Sequence, residues 1–202
     1  MNPWQAVDDF EAALCEYTGA PYAVAMNSCS AALLLSVRWC DRHDIPRPQQ
    51  GVQIPRRTYV SVPLSIIHAG CFPTWRDEDW KGVYQLKPFP IWDCALRFTG
   101  GMYRAGRFQC VSFAAAKILG LEQGGAILHD NSDADAWLRR MRFDGRQPGL
   151  EVEQDEISVC GYHFPMLPST AAALTLRLHH LPRVNADQVR EYPDVSTKAV
   201  FR

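Results

Sequence analysis

The chain has 202 residues, 47% hydrophobic and 21% charged, a balance that supports one substantial core in one globular domain. A net charge of -1 leaves no basic surplus for nucleic acid, and no apolar run approaches a membrane span. The acidic, amphipathic start MNPWQAVDDFEAAL is unlike a secretory signal, and seven widely spaced cysteines without a C-x-x-C pair read as reduced thiols. Both features point to a cytoplasmic protein with neither a disulfide framework nor a metal site.

From Trp4 to Tyr17, apolar residues recur at Val7, Phe10, Leu14 and Tyr17, a helical period. YAVAMN (Tyr22 to Asn27) suits a buried strand, and AALLLSVRWC, apolar nearly all round, predicts a buried helix. VQIP predicts a second strand. YVSVPLSIIHAG predicts a helix with Pro63 in its first turn, ending at Gly70. CFPTW, GVYQL and PIWD are further strand candidates, as are FQCVSF and GAILHD. DADAWLRRMRFDG reads as an amphipathic helix with an acidic start, and STAAALTLRLHHL as another with Ser169 or Thr170 near its N-cap. His179 and His180 are adjacent, so they diverge by roughly 100° on a helix and cannot share a metal ion. The chain turns polar at Pro182, which divides it into a domain over 1–181 and a loosely held tail over 182–202. Strands alternating with helices predict an α/β fold with a mostly parallel mixed sheet flanked by helices.

In such sheets ligands gather beyond the carboxyl ends of the strands. Three places there carry chemistry. Ser28, Cys29 and Ser30 open the buried helix, where free N–H groups, hydroxyls and the helix dipole can hold a phosphate; an ordinary N-cap is the alternative. Asp93 closes the strand PIW, either as a functional carboxylate or as a turn residue. Ser112 follows FQCV, and Lys117 lies five residues on, where a solvated surface lysine is the alternative. Taken together, a phosphate cradle, a carboxylate and a lysine above one sheet are what pyridoxal phosphate requires: a Schiff-base lysine, a partner for the pyridine nitrogen and a phosphate anchor. Neither a G-x-G-x-x-G nor a Walker-type phosphate loop occurs.

These segments resemble the DegT/DnrJ/EryC1/StrS family of pyridoxal-phosphate-dependent sugar aminotransferases, which have the type I aspartate-aminotransferase fold. FEAALCEYTGAPYAVAMNSCSAALLLSVRW is similar to the family's first helix, strand and S-G-T-A-A-L phosphate turn. IPRRTYVSVPLSIIHAGCFPTWRDED is similar to its P-x-x-T-[FWY]-V-A-T segment, which implies that Tyr59 stacks on the cofactor ring. IWDCALRFTG resembles E-D-A-A-Q-A and gives Asp93 the pyridine-nitrogen role. VSFAAAKILGLEQGGAILHD resembles S-F-H-P-T-K-N-L…G-E-G-G, which gives Ser112 a phosphate role and makes Lys117 the Schiff-base lysine.

The pattern also departs from the family. Leu96 stands where the family has a glutamine bonded toward the cofactor's ring oxygen. GYHFPM replaces G-Y-N-Y-R-M, so His163 and Pro165 stand where the family has an asparagine and an arginine; the asparagine reaches a neighbouring subunit's phosphate, a role open to His163, with a structural histidine as the alternative. Only fifteen residues lie between Asp77 and Asp93, where the family has a longer helix–strand–helix passage, and the sequence stops at Arg202, short of a small C-terminal domain. The resemblance implies a homodimeric enzyme that takes an amino donor and a keto acceptor, the acceptor a nucleotide-linked sugar. Decarboxylation of an amino-bearing substrate, or a non-catalytic role for the retained fold, are the alternatives.

Overall fold

The computed structural model describes residues 2, 4–43, 51–147 and 149–201. Helix α1 (Gln5–Thr18) buries Val7, Phe10, Leu14 and Tyr17, the face its periodicity predicted, and closes at Gly19, whose N–H returns to the Cys15 carbonyl. Strand β1 (Tyr22–Met26) leads into α2 (Cys29–Arg42), where Ser28 accepts the Ala31 N–H at 3.1 Å as the N-cap. Next come β2 (Val52–Pro55), α3 (Ser61–His68) and β3 (Pro73–Arg76), a right-sized crossover that pairs β2 with β3 in parallel. The remaining elements are β4 (Tyr84–Leu86), β5 (Ile91–Asp93), β6 (Phe108–Ser112), β7 (Gly125–His129), α4 (Ser132–Met141) and α5 (Pro168–His179).

The main sheet has the order β1-β7-β6-β5-β4. Strands β1, β5 and β6 run one way, β4 and β7 the other, so the expected mixed sheet is present, but among the described residues β5·β6 is its one parallel ladder. The physical reason is connection length. A parallel return needs a crossover of roughly a dozen residues, whereas only Lys87–Pro90 separate β4 from β5, so the chain folds back as a hairpin. The β2–α3–β3 unit joins the β4 edge through reciprocal Gln53–Lys87 backbone bonds of 2.8 and 3.1 Å.

Side-chain alternation puts the two faces of the sheet into two cores. Val24, Met26, Ile91, Cys110 and Ile127 pack with α2, α3 and α4. Ala23, Ala25, Val111, Ala126 and Leu128 pack with α1 and α5. Beside β1, Glu11 of α1 accepts the Ala25 N–H at 2.7 Å and pairs with Arg142, while Arg142 also donates to the Ala25 carbonyl. Arg139 joins Glu11 at 2.5 Å and reaches the Ala23 carbonyl at 3.2 Å.

One expectation is refined here and another changes. Helix α5 takes Leu167 as its N-cap with Pro168 in the first turn, so Ser169 and Thr170 lie near the cap, as expected, but inside the helix; the fixed φ of proline suits its position. The segment from Pro182 is held along its length. The Arg183 carbonyl accepts the Gly100 N–H at 2.7 Å, and Asp187 forms a two-pronged pair with Arg97 at 2.8 and 2.5 Å. Gln188 donates to the Leu96 and Ala116 carbonyls, both at 2.9 Å, and the Val195 N–H bonds the Arg56 carbonyl at 2.9 Å. Polar composition suggested a loose tail because its anchors are hydrogen bonds rather than an apolar stripe. In space it is a strap.

Candidate active site

Because β1, β5 and β6 run in one direction, their carboxyl ends meet above the sheet. Asn27–Ser28–Cys29, Asp93 and Ser112 therefore converge, and the amino end of the reversed β7 arrives among them at Gly124. Between them lies a cavity of about 260 Å³ lined by Ser28, Cys29, Ser30, Tyr59, Asp93, Ser112 and Lys117. That is slightly under the range of small-molecule sites, roughly 300–1,000 Å³. The geometry thus collects seven of the eight residues singled out in the sequence.

The cavity floor depends on a close approach. A Cβ on Gly125 would overlap the Cys29 nitrogen and the Ser28 carbonyl carbon, so only glycine lets β7 pass beneath this turn. The hydroxyls are ordered: Ser30 Oγ donates to Ser61 Oγ at 2.7 Å, and Ser65 Oγ reaches the Ser30 carbonyl at 3.0 Å. No acidic residue occupies the first turn of α2, so the positive end of its dipole faces the hydroxyl cluster unopposed from within the helix.

Asp93 is only 6% exposed. Its Oδ1 accepts the Ala95 N–H at 2.9 Å and its Oδ2 accepts the Tyr84 hydroxyl at 2.7 Å. Burial raises the Asp93 carboxyl above its ordinary range, against the opposing pull of Tyr84, the Ala95 N–H and Lys117. Lys117 is half-buried, and burial lowers its ammonium from the usual value, while Asp93 and Cys29 raise it and Arg190 lowers it further. Desolvation therefore pushes both members of this pair toward their neutral forms. A ligand bringing a basic ring nitrogen and a phosphate would supply each polar wall with an opposite charge, so the donor set fits pyridoxal phosphate.

Tyr59 and His163 are the exposed members of the set. Tyr59 lines the cavity but is 56% exposed, and its ring faces Tyr192 of the strap at 6.4 Å. His163 does not line the cavity of its own chain: its side chain is 75% exposed and its Nδ1 lies 2.8 Å from Asp144 Oδ2. Leu96 is buried, and its carbonyl anchors Gln188, so an aliphatic side chain stands at the position of the family's glutamine.

Sequence reading missed Thr58, Trp80, Tyr84, Gln123, Arg190 and Tyr192. All but Tyr84 line the cavity, and Tyr84 bonds Asp93 from behind it. Trp80 donates its indole N–H to the Arg57 carbonyl at 2.8 Å and stacks on Tyr192 at 5.9 Å. Arg190 and Tyr192 belong to the strap, whose sequence carries no periodic signal for docking. The pairing of Tyr84 with Asp93 was readable in principle from the short β4–β5 link.

The sequence profile of the DegT/DnrJ/EryC1/StrS aminotransferase family matches residues 2–89 and 98–196. This chain belongs to that family. Among solved structures, it resembles AtS13 from Actinomadura melliaura at 19% identity and a TM-score of 0.70, over 87% of this chain and 59% of that one. It also resembles S. venezuelae DesV, solved in complex with a ketimine intermediate, at 20% identity and 0.69, over 87% and 57% of the two chains. The sugar aminotransferase CalS13 from Micromonospora echinospora matches at 20% identity and 0.69, over 87% and 60%. At such identities the likeness establishes the type I fold, and this DegT/DnrJ/EryC1/StrS family member spans less than two thirds of each of these chains. Among its described residues no helix is long and apolar enough to cross a membrane.

Proposed function

We propose that the protein is a pyridoxal-phosphate-dependent aminotransferase that moves an amino group from a donor to a keto sugar. The observation that carries this reading is the shared cavity of Lys117 and Asp93 beneath the hydroxyl-lined start of α2. When bound, the cofactor supplies an electron sink for carbanion chemistry at the amino-bearing carbon. Lys117 is the attachment point and, once released, the base that carries a proton at the substrate carbon; burial shifts it toward the neutral form that both tasks use. Asp93 holds the proton on the ring nitrogen. Ser28, Cys29, Ser30 and Ser112 hold the phosphate, and Tyr59 covers the ring. The strap completes the wall with Arg190 and Tyr192, so residues 1–181 carry the site and the segment beyond closes it.

The working unit is a homodimer in the cytoplasm. The exposure of His163, outside its own cavity, supports a role for it at the site of a second copy. Sedimentation of the cofactor-loaded protein as a monomer at micromolar concentration would remove this part of the reading.

The test of the whole is a visible spectrum of the purified protein with added pyridoxal phosphate, then borohydride reduction and peptide mapping. The expected adduct is on Lys117; one on another lysine, or none, refutes the assignment. With an amino donor and a keto acceptor, donor loss should match amino product. Release of carbon dioxide in place of transfer would replace the aminotransferase by a decarboxylase.

A further inference from the structure

The shortened β4–β5 link has a chemical result. Because Lys87–Pro90 turn the chain straight back, Tyr84 falls directly opposite Asp93 in the antiparallel register. Directly opposed residues project from the same face of a sheet, so the phenol and the carboxylate meet. The Tyr84 hydroxyl lies 2.7 Å from Asp93 Oδ2 and 2.6 Å from Thr58 Oγ1. An ionised carboxylate can only accept, so the phenol's single proton goes to Asp93 and Thr58 must be the donor to Tyr84. The direction of the chain is therefore fixed: Thr58 to Tyr84 to Asp93. All three residues are buried, with Tyr84 at 2% exposure.

We propose that Tyr84 is a positioning residue that keeps Asp93 ionised and aimed into the cavity, and that Thr58 orients Tyr84 for this. The assignment rests on the cofactor reading only for its purpose; the hydrogen-bond chain itself does not. The Ala95 N–H holds one oxygen and Tyr84 the other, so the carboxylate cannot rotate, and lone pairs remain free for a ring N–H. The alternative is a core tyrosine that happens to find an acceptor. With no preference for the charged form of Asp93, such a contact would leave its ionisation unchanged when the hydroxyl is removed. The other groups that face Asp93 are Lys117 beyond β6, Cys29 at the start of α2, Cys94, Cys110 on β6 and Tyr192 of the strap. Burial raises the three buried thiols, Cys29, Cys94 and Cys110, so all stay neutral near pH 7, and the Lys117 cation favours the carboxylate, with Arg190 in the same cavity wall.

The experiment follows the Asp93 carboxyl by carbon NMR in the cofactor-free protein, with Asp93→Asn identifying its signal. Tyr84→Phe keeps the ring in place, and circular dichroism checks the fold. Loss of a hydrogen bond to a charged group should lower the ionisation constant of Asp93 about tenfold. Thr58→Val should lower it less, in the same direction. In the loaded protein, labelled pyridoxal phosphate should report a ring nitrogen shifted toward its neutral form in Tyr84→Phe. An Asp93 titration unmoved by Tyr84→Phe in a folded protein overturns the proposal. If the wild type takes up no cofactor while the titration still moves, the Tyr84 assignment stands and the cofactor reading falls.

Discussion

Gly82 offers a way to weigh the strap. It has φ +72°, and a Cβ there would overlap the carboxylate of Asp187, the residue that pins the strap to Arg97. Gly82→Ala therefore does two things. It forces a left-handed backbone on an L-residue, at about 1–2 kcal/mol. It also makes Asp187 swing away, which breaks the Arg97 pair; with the two side chains 37% and 16% exposed, that adds only about 0.2–1 kcal/mol. A less flexible unfolded chain offsets about 0.4–1 kcal/mol. Gly70 supplies the control, since its φ is +89° but a Cβ would meet nothing within 4 Å. Gly70→Ala thus carries the backbone strain alone, and the difference between the two variants isolates the contact with Asp187. The assay is limited trypsin digestion under native conditions, which reads local opening at Arg183 and Arg190, beside thermal unfolding. Gly82→Ala should be cut in the strap faster than Gly70→Ala by a factor between about 1.4 and 5, the equivalent of about 0.2–1 kcal/mol of local opening. Equal cleavage of the two would show that the Asp187–Arg97 anchor does not hold the strap.

Other outcomes follow from the same geometry. Lys117→Ala should lose the borohydride-stable adduct yet unfold within about 0.5 kcal/mol of wild type, because the lysine is only half-buried and truncating it opens no apolar core; calorimetry decides. Asp93→Asn should weaken cofactor binding and abolish transfer, measured by fluorescence titration and product assay. Phe10→Ala, at a fully buried position, should cost about 3–5 kcal/mol in denaturant titration. Arg97 holds the Asp187 carboxyl below its ordinary 3.8, so the pair contributes stability above that value and loses it as pH falls through the lower folded value. Strap release in acid, followed by pepsin digestion, should rise over that window in wild type and be flat in Asp187→Asn.

How much of this was legible follows from which forces are local. The helical period of Val7, Phe10, Leu14 and Tyr17 and the all-round burial of α2 are written in apolar spacing, and the structure bears out both elements. The convergence of Ser28, Asp93, Ser112 and Lys117 could be read because strand ends and local motifs mark where ligands sit. Strand direction could not be read from the composition of GVYQL; it depends on Lys87–Pro90 being too few residues for a crossover. The docking of Arg190 and Tyr192 escaped because long-range hydrogen bonds, such as Gln188 to Ala116, leave no periodic trace. Tyr59 and His163 drew their roles from resemblance alone, since neither exposure nor a ring contact to Tyr192 leaves a mark in local spacing.

The Glu11–Arg142–Arg139 cluster has a meaning beyond cohesion. Among the described residues strand β1 ends the sheet: β7 pairs it on one side, and on the other its carboxyl end is bridged, Met26 to Pro165. The outward-facing groups of Ala23 and Ala25 are an open ladder of the kind another chain could extend. Here Glu11 takes the Ala25 N–H, Arg142 its carbonyl and Arg139 the carbonyl of Ala23. The side chains imitate a neighbouring strand without being one. A protein altered at Glu11 should therefore be at risk of templated self-assembly along β1 even while its two cores remain packed.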